Sequence, residues 1–271
     1  MKNSGRMLVT GAGGFIGASL FERLRRYDPI GVVFHRSEST ADPNLIEADL
    51  RDKNRVKEIF EHYRPGTVFH LAGFSSPRKN EESPQLARDS NLGATQNILS
   101  NLSDEAHIIF PSTDKVFDGA HPDPDEEAKV NPLWLYAKLK YQCEEVIKKK
   151  TDKFHIVRLP IVHSSGSVIG ASRGSFIDKA IIDLRRGKEV TVFKNVQRCF
   201  VKLDELLDLF ETFINDTNYG TYHVGSKLAS YYDRLCDLCD ELAIDGKDRI
   251  MPVDGKADPL VQNLNTEKFK N

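Results

Sequence analysis

The segment Arg6–Gly17, RMLVTGAGGFIG, decides how the rest of the chain reads. A short apolar run ends in Thr10 and leads straight into Gly11, Gly14 and Gly17, where an amphipathic helix pattern opens with Phe15 and Ile16. Glycines at that spacing permit a tight strand-to-helix turn, close approach of backbone amides to a pyrophosphate, and close packing of helix on strand. The helix N-terminus adds donors and the positive end of its dipole. The Lys-Ser/Thr ending of an ATP-binding loop is missing, so a dinucleotide is the expected ligand.

Outward from this turn, the runs RMLVT, IGVVF, TVFHLA, HIIFPS and FHIVRLP alternate with longer helical patterns beginning near Phe15, Asp52, Pro84 and Leu133. That alternation predicts parallel strands joined by right-handed helical crossovers, an α/β doubly wound sheet. After Pro160 the pattern changes to a Gly/Ser-rich loop, a helix from about Phe176, the strands EVTVF and CFVKL, another helix, GTYHVG, a cysteine-bearing helix, and RIMPV. The expected organisation is a dinucleotide-binding domain over residues 1–160 and a smaller, interwoven α+β substrate lobe over 161–271, some of whose segments return to the first sheet.

Composition narrows the function. Among 271 residues, 38 basic against 40 acidic side chains leave a formal net charge of -2, which offers no global field for nucleic acid or an anionic membrane. No apolar run approaches a membrane span, and the N-terminus lacks the apolar core of a secretory signal. Four cysteines fit a reducing, cytoplasmic setting better than a disulfide framework. Cys236 and Cys239 form a C-x-x-C, but they share a helical face with Leu235, Leu238 and Leu242 and read as core. No metal is expected.

The second strand runs into GVVFHRSES, where Arg36 and Ser37 supply a cation and a hydroxyl suited to a 2'-phosphate. NADP(H) is therefore expected over NAD(H), which remains the alternative. Asp49 and Leu50, in EADL, are placed near the adenine, although Asp49 serves equally as a helix cap. Leu71, Ala72 and Gly73 follow the next strand toward the nicotinamide. Ser75 and Ser76 come immediately after, at the carboxyl end of a strand where open α/β sheets bind ligands.

In NPLWLYAKLKYQ, Tyr136 and Lys140 stand four residues apart, which brings phenol and ammonium to one helix face. A phenol with a free pKa of roughly 10 needs a nearby positive charge to exchange protons near neutrality. The pair, its place after the fourth crossover and the glycine turn together resemble the extended short-chain dehydrogenase/reductase family. STDKVFDG, DPDEEAKVNPL, YAKLK, the segment SSPRKNEESPQLARDSNLGATQNI and the late LNTEKFK are similar to its dTDP-4-dehydrorhamnose reductase branch nearly end to end.

The resemblance implies a Rossmann-type sheet and three catalytic residues. The Thr113 hydroxyl donates to the reacting oxygen, Tyr136 passes the proton, and Lys140 holds the nicotinamide ribose and eases ionisation of the tyrosine. Asn91 supports the active-site helix. Asp114, Lys115, Trp134 and Arg198 are expected to meet substrate with Ser75 and Ser76; Arg198, in an R-x-F-V segment, is matched to a nucleoside diphosphate. Asp114 could instead simply close the turn.

The chain departs from the branch in two places. Lys115 stands where an aromatic residue is usual, and Ile161 occupies a tryptophan position. Both point to a sugar other than dTDP-4-dehydrorhamnose, with Lys115 suited to a negatively charged or more oxygenated one. The expected function is NADPH-dependent reduction of a keto group, at C4, of a nucleotide-diphospho-sugar; members of the family it resembles are frequently homodimers, and a homodimer is the oligomer the resemblance implies. The alternatives are a hydride-returning epimerase and a non-catalytic NADP-binding regulatory subunit, as in the methionine adenosyltransferase relatives of the branch.

Overall fold

A computed structural model describes residues 5–35, 42–164, 174–256 and 259–270. In chain order its first half holds β1 (Met7–Thr10), α1 (Phe15–Arg23), β2 (Ile30–Val33), β3 (Leu45–Glu47), α2 (Lys53–Tyr63), β4 (Thr67–His70), α3 (Pro77–Glu82), α4 (Pro84–Arg88), α5 (Ala94–Asn101), β5 (His107–Thr113), α6 (Leu135–Lys150) and β6 (Phe154–Leu159). The second half holds β7 (Ile161–His163), α7 (Phe176–Arg185), β8 (Val190–Phe193), β9 (Gln197–Arg198), β10 (Phe200–Lys202), α8 (Leu203–Thr212), β11 (Gly220–His223), β12 (Ala229–Ser230), α9 (Tyr231–Glu241), β13 (Ile250–Val253), β14 (Val261–Gln262) and α10 (Glu267–Lys270).

The chain forms two compact units. The first takes residues Met1–Val116, Pro132–Arg158 and Leu207–Tyr222; the second takes Phe117–Asn131, Leu159–Leu206 and His223–Asn271. At the centre of the first is a seven-stranded parallel sheet of order β11-β6-β5-β4-β1-β2-β3. The strand order reverses direction between β1 and β4, so the C-terminal ends of these two strands flank the point where α/β sheets open a crevice for ligands. β11 is the late segment that joins this sheet. β3, only three residues long and without a β-branched run, was not legible as a strand.

Strands buried on both faces explain the continuous apolar runs of the sequence. On one face Leu8, Val32, Val68, Ile108, Phe110 and Ile156 pack with Val56 and Phe60 of α2, Ile98 of α5, and Cys143 and Ile147 of α6. On the other, Phe69 meets Phe210 of α8 with ring centroids 6.2 Å apart. Asp52 caps α2 by accepting the amides of Asn54 and Arg55. Asp49 does not cap that helix: its carboxylate receives the Arg51 guanidinium fork instead.

In the second unit β7 pairs with β10 and β8 with β13, both parallel, while β9 lies between antiparallel β12 and parallel β14. Its core joins Ile177, Ile181 and Leu184 of α7 to Val190, Val192 and Phe200 and to Leu235, Leu238 and Cys239 of α9. The cysteine motif is thus part of that packing, with Cys236 half-buried against it. No helix among the described residues is long and apolar enough to cross a membrane.

Four buried histidines couple this fold to acid. Burial lowers His70 to about 3, and it also depresses His107, His155 and His163 below the usual histidine range. The native chain refuses protons that the unfolded chain accepts near pH 6.5, so the stabilisation is complete above that pH and is lost as pH falls toward the depressed values. Every histidine kept neutral costs about 1.4 kcal/mol per pH unit across this window. The urea midpoint is expected to hold steady from pH 8 to 7 and to drop steeply between pH 6 and 4.5; a flat profile there would contradict the neutral assignments.

Candidate active site and cofactor cradle

The glycine turn is built by backbone collision avoided at two positions. Gly11 has φ +69, and a Cβ there would lie 2.7 Å from the Ala72 amide nitrogen. A Cβ on Gly17 would strike the Gly11 carbonyl oxygen, so helix α1 sits as close to the turn as only glycine allows. Gly14, at the N-cap, donates its amide to Gly11 O at 2.9 Å and makes no side-chain cap, which leaves the first-turn amides of α1 unclaimed by a side chain. Phe15 and Ile16 begin the helix, half-buried. This cradle fits a dinucleotide pyrophosphate, with Gly11, Gly14 and Gly17 permitting the approach and the α1 amides facing the charge.

A hydrogen-bonded chain fixes the floor of the cradle. Thr10 Oγ1 accepts the Ala72 amide at 3.1 Å and lies 2.9 Å from His70 Nδ1, while His70 Nε2 is 2.9 Å from Thr95 Oγ1. The Thr95 hydroxyl donates to Asn91 O at 2.7 Å. With that proton spent, the neutral imidazole donates from Nε2 and accepts from Thr10 at Nδ1, so every group in the chain has one consistent role. The ends of β1 and β4 are locked together through His70, a residue that the sequence reading passed over.

The loop after β4 is held from below by Asn91, 3% exposed in a π-helical turn over Asp89–Gly93. Its side chain accepts the Phe74 amide at 2.9 Å and donates to Ala87 O at 3.0 Å. Leu71 and Ala72 are half-buried, and Gly73 is exposed above Asn91. Ser75 is exposed, whereas Ser76 is the N-cap of α3. Just past β2, Phe34 is 55% exposed, with the Arg51 guanidinium 5.6 Å from its ring centroid and Asp49 gripping Arg51. Leu50 is half-buried there; Arg36 and Ser37 lie outside the described residues.

β5 delivers Thr113 and Asp114 to the start of α6. Both are buried, and the Thr113 hydroxyl donates to Asp114 Oδ1 at 3.1 Å. Burial, and then the Asp114 carboxylate, push the Tyr136 phenol well above the usual tyrosine range. Lys140, one turn along α6, is 8% exposed with Nζ 3.8 Å from the Phe110 ring centroid. That distance is a cation-π contact, and it eases the desolvation that lowers the ammonium to about 8. Cys143 and Glu144 act in the opposite direction, raising it. The first unit therefore brings together a hydroxyl donor, a phenol held protonated and a buried cation.

Lys115 follows in a single 3-10 turn, its amide donating to Thr113 Oγ1 at 3.3 Å. No carboxylate among the described residues pairs with its ammonium. Trp134, 45% exposed, is the N-cap residue of α6, and Glu81 accepts the next amide, that of Leu135, at 2.7 Å. Arg198 belongs to the second unit, where its guanidinium donates to the carbonyls of Gln197, Pro259 and Leu260. Sequence reasoning passed over Glu144 and Arg158, two charges fully or almost fully buried behind Ser112. An arginine inside the apolar strand FHIVRLP and a glutamate one turn beyond Lys140 were the signals available.

A seven-stranded parallel sheet with a glycine turn at the head of β1 makes this a Rossmann-type α/β protein of the extended short-chain dehydrogenase/reductase type. The chain belongs to the family described as RmlD substrate binding domain, which matches residues 5–263. It is 30% identical over 244 residues to methionine adenosyltransferase 2 subunit beta of Danio rerio, covering 87% of this chain and 73% of that protein. It is 24% identical over 253 residues to dTDP-4-dehydrorhamnose reductase of Aggregatibacter actinomycetemcomitans, covering 87% and 79%. Its fold is similar to the crystal structure of dTDP-4-dehydrorhamnose reductase from Bacillus anthracis in complex with NADP, with TM-score 0.83, 22% identity, and coverage of 100% of this chain and 91% of that one.

The close approach at Gly17 gives a direct test of the cradle. Gly17→Ala must push α1 off the turn, and overpacking of this size is expected to weaken NADPH binding about tenfold or more. Fluorescence titration of NADPH would read it; an unchanged dissociation constant would remove the turn from the binding site.

Proposed function

We propose that the chain is an NADPH-dependent reductase of a keto group, at C4, of a nucleotide-diphospho-sugar. The observation that carries the reading is the arrangement at the end of β5: Thr113 and Asp114 beside a phenol kept protonated, with Lys140 buried one turn away. A bound nicotinamide would supply the hydride. The chain supplies the proton and the electrostatics. Tyr136 gives its phenolic proton to the developing alkoxide, the Thr113 hydroxyl turns from Asp114 Oδ1 to donate to the same oxygen, and the Lys140 ammonium stabilises the phenolate left behind. A phenol whose pKa is raised by burial and by Asp114 stays protonated until that moment, which is the form an acid requires.

The fit of the cradle to a dinucleotide and the NADP complex of a similar fold support the cofactor class. NADP(H) over NAD(H) rests on Arg36 and Ser37. Asp114, Lys115, Trp134, Ser75 and Ser76 are assigned to the sugar, and Arg198 to the nucleoside diphosphate. Lys115, an ammonium without a carboxylate partner among the described residues and two residues from Thr113, favours an oxygen-rich or anionic sugar over dTDP-4-dehydrorhamnose. A second reading follows from the relatives that are subunits of methionine adenosyltransferase: an NADP-binding subunit of another enzyme, without turnover.

Purified protein is to be mixed with NADPH and a panel of nucleotide-linked keto sugars, including 4-keto-6-deoxy and carboxylated members, following absorbance of the nicotinamide. Tyr136→Phe is expected to lower kcat by about two to four powers of ten while NADPH affinity stays within about threefold. Oxidation that persists in this variant would refute the assignment. Tight NADPH binding with no turnover across the panel, together with stable association with a second enzyme, would favour the subunit reading.

Lys140 sets a second signature. Its charge is present below about pH 8 and lost above it, so kcat for reduction is expected to be level near pH 7 and to fall about tenfold per unit well above pH 8. A rate unaffected up to pH 10 would show that the ammonium is not needed.

A further inference from the structure

Three groups that the reaction scheme leaves unused meet behind the catalytic strand end. Glu144 follows Tyr136 by eight residues and Lys140 by four, on the same face of α6, and is 0% exposed. Its Oε1 accepts from Ser112 Oγ at 2.5 Å and from Arg158 Nε at 3.2 Å, and its Oε2 accepts from Arg158 Nη2 at 2.9 Å. Ser112 immediately precedes Thr113 on β5, and Arg158 lies on the adjacent strand β6. All three side chains are shut away from water.

Stability alone does not account for such a cluster, because well-packed apolar residues often replace a buried ion pair without loss. The ladder shows what the cluster adds. Pairing of β5 with β4 ends at Phe69↔Ile109, and Pro111 has no amide proton to offer a neighbour, so Thr113 stands four residues past the last β4 rung. Side chains must hold what the ladder on that side does not. The arginine fork fixes the plane of the Glu144 carboxylate, the carboxylate fixes the Ser112 hydroxyl, and the next residue is Thr113.

We propose that Ser112, Glu144 and Arg158 form a positioning strut that clamps the overhanging end of β5 to α6, so that the Thr113 hydroxyl and the Tyr136 phenol reach one substrate oxygen. The inference rests on the reductase reading of Thr113 and Tyr136. Removing Glu144 would strand a buried guanidinium and endanger folding, so the test uses the hydroxyl. Ser112→Ala leaves the ion pair in place and cuts only the link to the strand; Ser112→Thr keeps the link.

With the substrate found in the panel, Ser112→Ala is expected to lower kcat about 10- to 100-fold, the size of effect that a misplacement of about 1 Å produces, with NADPH affinity within about twofold. Ser112→Thr is expected to stay within about threefold of the parent in kcat. Turnover of Ser112→Ala within about twofold of the parent, or a loss of NADPH affinity as large as the loss of kcat, would overturn the strut. Should the parent protein itself oxidise no NADPH, the reductase reading fails separately, and the strut is then read by hydrogen exchange. Faster exchange confined to Phe110–Val116 in Ser112→Ala and absent from Ser112→Thr would support it; unchanged protection would overturn it.

Discussion

The seat of α6 on β5 is the interaction from which the rest of the candidate site follows. Cys143 and Ile147 bury the helix against Phe110 and Ile108, and that packing leaves Lys140 no aqueous place for its ammonium. The side chain ends over the Phe110 ring, with a carboxylate one turn further on. A lysine in this position loses hydration and gains only a ring face and a distant negative charge. Its proton is consequently held less tightly than in water, yet firmly enough to remain charged at neutral pH.

The same packing sets up an opposition at Tyr136. Burial and Asp114 favour the neutral phenol; Lys140, four residues further along α6, is the positive charge that the proposed reaction sets against them. Neither influence alone makes a useful acid: a phenol under the first would not release its proton, and one under the second would release it too early. An acid for an alkoxide needs to be protonated beforehand and stabilised afterwards, and the two influences come from different sides, the strand end and the helix.

Much of this was legible because the decisive features are local. Gly11 takes a left-handed φ and Gly17 lies against the Gly11 carbonyl, so their spacing carries the meaning, and Tyr136 and Lys140 are related by helical periodicity alone. Continuous apolar runs marked β1, β2, β4, β5 and β6 because the sheet is buried on both faces. β3 was lost because a three-residue strand at a sheet edge, with Leu45 and Ile46 half-buried and Glu47 exposed, carries no periodic signal. His70 and the Ser112, Glu144 and Arg158 cluster were passed over for another reason. Their partners lie 14 to 60 residues away in sequence, and a buried polar residue shows its purpose only when those partners are present.

Family membership constrains the machinery more tightly than the substrate. The residues proposed to handle a hydride and a proton sit on strand ends and on α6, where the sheet dictates their placement. Of the two departures, Lys115 falls in a 3-10 turn where no such dictation exists, whereas Ile161 begins a three-residue strand of the second unit and packs against its core. Residues on short connecting segments change without disturbing a core, so specificity drifts there while chemistry stays. An aromatic wall replaced by an ammonium alters what such a site attracts from an apolar sugar face to oxygen and negative charge, and that change leaves Thr113, Tyr136 and Lys140 chemically intact.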